Sequence, residues 1–166
     1  LAMNNIIEYI ESKYTPIAII VYGSYCDGTN NESSDFDALV ISDNHVKFHD
    51  LSFVDGVQLD LFIYPKEFFD KPDDFSDFMH IYYSDVVKDT NNYGENLKRN
   101  IVKYVDSLPN KTDVELLEGI AWCQKMLKRS KQNDIEGMFR WHWLLTESLS
   151  IFCQLKHKQY FGPKLQ

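Results

Sequence analysis

No apolar run in this 166-residue chain approaches the ~18–20 residues that a membrane-spanning helix needs, and the chain opens on no charged-then-apolar leader. Cysteine is scarce. Cys26, Cys123 and Cys153 form no Cys-x-x-Cys pair and leave an odd count, so neither a disulfide framework nor a cysteine-built zinc site is expected. A reducing cytoplasm is the expected compartment. Positive charge is short as well, with 17 basic against 25 acidic residues and a formal net charge of −8. A protein that grips a phosphate backbone displays a basic stripe. The nearest approach here, Lys125, Lys128, Arg129 and Lys131, reads as a solvated helix end whose cations complement the helix dipole. Nucleic acid is therefore not the expected partner, and a small or mobile substrate fits better. Repeats and low-complexity segments are absent too.

What is present suffices for a core: 44% of residues are hydrophobic and 14% aromatic, enough burial to offset the backbone entropy of folding. Ile6, Ile7 and Ile10 at helical spacing predict a short helix over 4–13. Ile17–Tyr22 is a short β-branched run cut off by Gly23, which predicts a buried strand. Turn-forming residues then fill 23–34. A second strand over 35–41 starts polar, at Asp35-Phe36-Asp37, and becomes wholly apolar. Val54-Asp55-Gly56-Val57 carries the Asp-Gly signal of a hairpin. In its second arm Val57, Leu59, Leu61 and Ile63 alternate with Gln58, Asp60, Phe62 and Tyr64, so Asp60 faces away from the aliphatic row. One or two helices rich in Phe68, Phe69, Phe75, Phe78 and Met79 are expected after Pro65, then a short strand at 85–88. Those aromatics, with Tyr82 and Tyr83, read as core, the alternative being a base or acceptor pocket.

Ser107-Leu108-Pro109-Asn110 marks a boundary. Beyond it Thr112 and Glu115 have the spacing of a capping box, and Leu116, Ile120, Cys123 and Leu127 form an apolar stripe. A last helix opens at Asp134. Its Phe139, Trp143, Leu144, Leu149, Phe152 and Leu155 spread over most of its circumference, which predicts burial on several sides.

Gly23-Ser24, ten residues, Asp35-x-Asp37 and then Asp60 form one constellation, each piece next to a predicted strand. Alone, Gly-Ser is an ordinary turn and Asp-x-Asp an ordinary acidic loop; their order and placement make the pattern specific. Gly23 has no Cβ, so backbone and a triphosphate can approach closely. The Ser24 hydroxyl and nearby amides at a helix start can bind phosphate oxygens. Asp35 and Asp37, two apart on a strand, emerge on one face and can share divalent cations. Asp60 would complete the ligands or accept the proton of an attacking hydroxyl. Catalytic and metal roles are thus expected of Asp35, Asp37 and Asp60, and nucleotide binding of Gly23 and Ser24, with two Mg²⁺ ions acting on a nucleoside triphosphate such as ATP.

Tyr22-Gly23-Ser24 through Asp35-Phe36-Asp37, with Val57-Gln58-Leu59-Asp60-Leu61, resembles the DNA polymerase β-like nucleotidyltransferase superfamily in its small bacterial branch. The resemblance covers roughly 4–105. Trp141-His142-Trp143-Leu144-Leu145-Thr146-Glu147 is similar to the helical domain of aminoglycoside-type adenylyltransferases. It implies an α/β (α+β) fold: a mixed sheet with packed helices over 4–107, then a C-terminal helical bundle over 111–166, with the active site in the cleft between them. It further implies transfer of AMP from ATP to a hydroxyl of a small acceptor such as an aminoglycoside-like antibiotic. The alternatives are a protein acceptor, as for antitoxins that adenylylate a HEPN toxin partner, and an inactive nucleotide-binding module; a homodimer stays open. Small members often carry Ala-Arg-Gly after the Gly-Ser-x step, where this chain has Cys26-Asp27-Gly28. Glu147 reads as a helix-surface carboxylate, with a general base as the alternative, and His142 as a core or interface histidine.

Overall fold

The β-branched run after Pro16 becomes strand β1 (Ala18–Val21), buried at all four positions. In the computed structural model, which describes residues 2–43, 46–70 and 74–162, helix α1 (Ala2–Tyr14) precedes it and a single helical turn, α2 (Ser24–Asp27), follows. Strands β2 (Phe36–Ser42), β3 (Phe48–Asp50), β4 (Phe53–Val54), β5 (Val57–Pro65) and β6 (Asp85–Asp89) complete a mixed sheet. Its order is β3-β5-β2-β1-β6, with β4 paired to β5. β2 and β5 run parallel, and the other pairings are antiparallel.

Side-chain alternation decides what each face of the sheet carries. Ile6, Ile10 and Tyr14 of α1 pack with Ile19, Val21, Phe36, Ala38, Val40, Leu59, Leu61 and Ile63 in one core. Each fully buried aliphatic side chain there contributes about 1.5–3 kcal/mol, and a one-residue slip of β5 would turn Leu59, Leu61 and Ile63 outward together. The hairpin is present as expected: Val54 pairs with Val57 across Asp55 and Gly56, whose φ angles of 52° and 83° are both positive, as a two-residue type I′ turn requires. Alternation leaves Asp37, Asp60 and Phe62, all half-buried, on the opposite face.

Two 3₁₀ helices (Lys66–Phe69 and Ser76–Tyr83) and helix α3 (Tyr93–Ser107) follow. Phe69, Phe75 and Phe78 are buried, whereas Phe68 and Tyr83 are 45% and 51% exposed, so core packing holds for three of the six aromatics. α3 has no counterpart in the sequence expectations. It buries Leu97, Ile101 and Val105, and the Asp89 carboxylate accepts from the Gly94 and Glu95 amides (2.8 and 3.1 Å) at its start. β3 is tied to α1 through buried Asp50, whose Oδ1 accepts from the Ser52 amide (2.9 Å) and hydroxyl (2.6 Å) while Oδ2 accepts from Lys13 Nζ (3.1 Å) and the Tyr14 hydroxyl. Burial alone would raise the Asp50 pKa; the bonds from Ser52, Tyr14 and Lys13 overcome it and hold the carboxyl down at about 2.

The chain divides into two compact units, Leu1–Ser107 and Leu108–Gln166. In the second, α4 (Asp113–Ser130) begins with the full Thr112–Glu115 capping box, and α5 (Ile135–Leu155) begins with the Asp134 carboxylate accepting from the Gly137 amide at 2.6 Å. The expectation that the last helix is buried on several sides is not met. Gly137, Leu144 and Cys153 are buried, but Phe139, Trp143, Leu145 and Phe152 are all more than half exposed. A helix packed on one neighbour buries one stripe, whatever its other faces carry. In α4, likewise, Met126 rather than Leu127 takes the buried position. Among the described residues no helix is long and apolar enough to cross a membrane. Residues 163–166 lie outside the described part of the second unit.

Candidate active site

Sheet order brings the expected residues together. β1 runs into Gly23 at its C-terminal end; β2, antiparallel to it, begins there, and the Tyr22 amide donates to the Asp37 carbonyl at 3.2 Å. β5 lies parallel on the other side of β2 in the register Asp37↔Asp60. Asp35, just ahead of β2, shares the face of Asp37 by strand alternation. One carboxylate oxygen from each of Asp35, Asp37 and Asp60 lies within 4.8 Å of the others, and all three side chains are half-buried. Two like charges at that separation repel by roughly 3–4 kcal/mol at an effective dielectric near 20, which a divalent cation would relieve. Oxygen-only donors suit Mg²⁺.

Gly23 fits this arrangement for a steric reason. Its φ of 67° and ψ of −152° lie in a region that is essentially glycine's alone. A Cβ built there would collide with Asp37 Oδ2 and stand 3.2 Å from Asp37 Cγ. A side chain at position 23 would therefore fill the space the Asp37 carboxylate occupies. Ser24 is 4% exposed, and its Oγ is a buried polar atom with no hydrogen-bond partner among the described residues. A hydroxyl left so costs about 1–3 kcal/mol, and a phosphate oxygen would satisfy it. The helix that follows is short: α2 is one turn, with the Cys26 and Asp27 amides both bonded to the Gly23 carbonyl (3.0 and 3.2 Å). A single turn sums few peptide dipoles, so a helix dipole can add little to the binding of an anion here.

Three neighbours of the carboxylates were not expected from the sequence. Tyr22 is packed against His80, ring centroids 4.4 Å apart. Burial, then the charges of Asp37 and Asp60, push the Tyr22 phenol well above its ordinary value, so it stays protonated and able to donate. Burial pushes the His80 imidazole down, and Asp60 opposes that shift. His49 Nε2 is hydrogen-bonded to Asp60 Oδ1. His49 and His80 are lone histidines in unremarkable stretches; only the pairing of β3 with β5, and the packing of the second 3₁₀ helix, bring them to the carboxylates.

The Cys26-Asp27 departure is structurally benign. Asp27 Oδ1 accepts from the Thr29 amide (2.9 Å) and hydroxyl (2.6 Å), and Gly28 ends the turn in the left-handed region. The Cys26 thiol donates to the Tyr83 carbonyl at 3.6 Å, and burial, then Asp85, raise its pKa to about 11, which removes it from nucleophilic chemistry near neutral pH. Glu147 and His142 are exposed on α5, so the latter is not a core residue.

A mixed sheet whose adjoining strands present three carboxylates beside a Gly-Ser turn defines a phosphoryl- or nucleotidyl-transfer fold. Residues 3–106 match the family described as nucleotidyltransferase domain, and the chain belongs to that family: it is a nucleotidyltransferase. Among solved structures it is similar to a crystal structure of a toxin-antitoxin with AMP-PNP, at 16% identity and TM-score 0.44, covering 62% of this chain and 86% of that one. A nucleotidyltransferase-like protein from Exiguobacterium sibiricum is similar at 15% identity and TM-score 0.40; the match covers 95% of this chain and 58% of that one. No curated protein matches the sequence.

Proposed function

We propose that this nucleotidyltransferase transfers AMP from ATP to a hydroxyl of a small, cationic, hydroxyl-rich acceptor of the aminoglycoside kind, releasing pyrophosphate. The observation that carries the reading is the convergence of Asp35, Asp37 and Asp60 within 4.8 Å, next to a glycine whose missing Cβ leaves room for Asp37. The three aspartates would hold two Mg²⁺ ions, which, when bound, would acidify the attacking hydroxyl and neutralise charge on the departing pyrophosphate. Ser24 Oγ, buried and unpartnered, would donate to a phosphate oxygen and fix the triphosphate beside the carboxylates. Asp60 would complete the cation's ligands and accept the proton of the attacking hydroxyl. Tyr22, held as a phenol by burial, forms an uncharged wall beside them. The net charge of −8 favours the approach of a cationic acceptor and disfavours a polyanion.

The test is incubation of the full chain with ATP and Mg²⁺ against a panel of aminoglycosides and neutral polyols, reading pyrophosphate release and adenylylated acceptor by mass spectrometry. Turnover is expected with a cationic polyol and should fall at least about 100-fold in Asp35→Asn and Asp37→Asn, the loss that accompanies misplacing a reacting centre by ~1 Å. An adenylyl group found on a protein instead would overturn the acceptor while leaving the site intact. ATP bound equally by wild type and both variants would overturn the site.

A further inference from the structure

The third carboxylate has a neighbour that the chemistry above does not use. β3 pairs with β5 in the register His49↔Phe62, and residues opposite one another on adjacent strands share a face. His49 and Phe62 therefore stand side by side on the face that carries Asp60, with ring centroids 4.2 Å apart and planes only 7° from parallel. Stacking fixes the plane of the imidazole and with it the direction of Nε2, which meets Asp60 Oδ1. An ionised carboxylate only accepts, so Nε2 is the nitrogen that carries the hydrogen. The side chains of His49 and Asp60 are 38% and 29% exposed, so the pair sits at the mouth of the site rather than sealed in the core.

We propose that His49 is a positioning residue: by donating Nε2–H to Oδ1 it holds the Asp60 carboxylate so that Oδ2 is the oxygen presented toward Asp35, Asp37 and the cation they bind. The inference rests on the reading of Asp60 as a cation ligand. An aspartate has two rotatable side-chain bonds, and a strand residue half open to solvent has little packing to restrain them. One hydrogen bond from a ring immobilised by stacking removes that freedom before the cation arrives. Partners of this kind, which orient a metal ligand without touching the metal, are typically worth about 10–100-fold in metal affinity or activity. β3 is itself anchored through Asp50, the residue after His49, to Lys13 and Tyr14 of α1, so the imidazole is carried on a fixed strand.

The test uses two substitutions and a readout that needs no turnover: Mn²⁺ affinity of the full chain without nucleotide, by calorimetry or electron paramagnetic resonance. His49→Phe keeps a ring to stack on Phe62 and removes the donor. His49→Gln keeps an N–H at comparable reach and removes the ring. Mn²⁺ affinity is expected to fall about 10–100-fold in His49→Phe, to recover most of that in His49→Gln, and to be no weaker in His49→Phe/Asp60→Asn than in Asp60→Asn alone. Wild-type affinity in His49→Phe with loss in Asp60→Asn would overturn the proposal and leave the metal reading standing. Equal loss in the Phe and Gln variants would overturn the donor role, since Gln retains the N–H, and loss in Gln with wild-type affinity in Phe would overturn it in favour of ring packing. Wild-type affinity in Asp60→Asn would overturn the underlying assignment of Asp60 itself.

Discussion

Replacing Gly23 by alanine tests the site through a single methyl group. The substitution acts twice. It forces a residue with a Cβ into φ 67°, ψ −152°, a backbone region that costs about 1–3 kcal/mol for such a residue. It also places that Cβ against Asp37 Oδ2 and 3.2 Å from Asp37 Cγ, so the carboxylate must withdraw by roughly 1 Å to regain ordinary contact. The first effect belongs to stability: each kcal/mol lowers Tm by about 4–8 °C in a domain of 60–100 residues. The second belongs to function, because a 1 Å misplacement costs about 100-fold in rate. Thermal denaturation of Gly23→Ala, Asp37→Ala and the double variant separates them. With Asp37 shortened the collision is gone but the backbone strain remains, so the double variant should lose less than the sum of the singles, with a coupling above about 0.5 kcal/mol, as expected for residues in contact. Mn²⁺ affinity should fall in all three. Strict additivity, or a Gly23→Ala protein that binds Mn²⁺ as wild type does, would refute the steric link between Gly23 and Asp37.

Two further substitutions have opposite signs. Ser24→Ala removes a buried hydroxyl without a partner, so Tm without ligand should hold or rise, while affinity for ATP with Mg²⁺ should fall about tenfold, or 1.4 kcal/mol, for a lost hydrogen bond to charged phosphate; a lower Tm with unchanged ATP affinity would contradict the phosphate role. Asp50→Asn should cost about 2 kcal/mol in urea denaturation at pH 7, because the carboxyl is held at about 2 against an ordinary 3.8. A lowered folded-state pKa stabilises fully above the unfolded value and is lost as pH falls from about 4 through 2. Wild type should therefore approach the variant's stability on acidification, and a constant gap down to pH 2 would refute the assignment.

What was legible in the sequence was whatever rests on neighbours along the chain. Gly23 ends a β-branched run, Asp35 and Asp37 open another, and Asp55-Gly56 demands positive φ; each signal lies within a few residues of the feature it predicts, and the fold has all three. Asp60 was legible because strict alternation with Leu59 and Leu61, both buried in the core beneath α1, put it on the opposite face. Helix α3 was not, because its core contribution is the thin row Leu97, Ile101 and Val105 set among Lys98, Arg99 and Asn100, and because its start is capped by Asp89 from the preceding strand. α5 was misjudged in the opposite sense: aromatics around a helix record how much apolar surface it carries, whereas burial depends on how many neighbours cover it.

His49 marks the limit most sharply. In the chain it stands eleven residues before Asp60, on the outer strand of a three-strand excursion. No spacing rule connects the two, since the turn at Asp55-Gly56 pairs β4, not β3, with the start of β5. β3 then returns along the far half of the same strand, His49 facing Phe62. The three carboxylates can be located from two short motifs and one alternation. What orients them depends on which strand lies at the sheet's edge, and that is decided by the length of β5: its nine residues offer β4 and β3 successive places on one edge, while β2 pairs along the other from Leu59 to Pro65. A shorter β5 would keep Asp60 beside Asp37 and lose His49, so the carboxylate's position and its restraint are separate consequences of one strand.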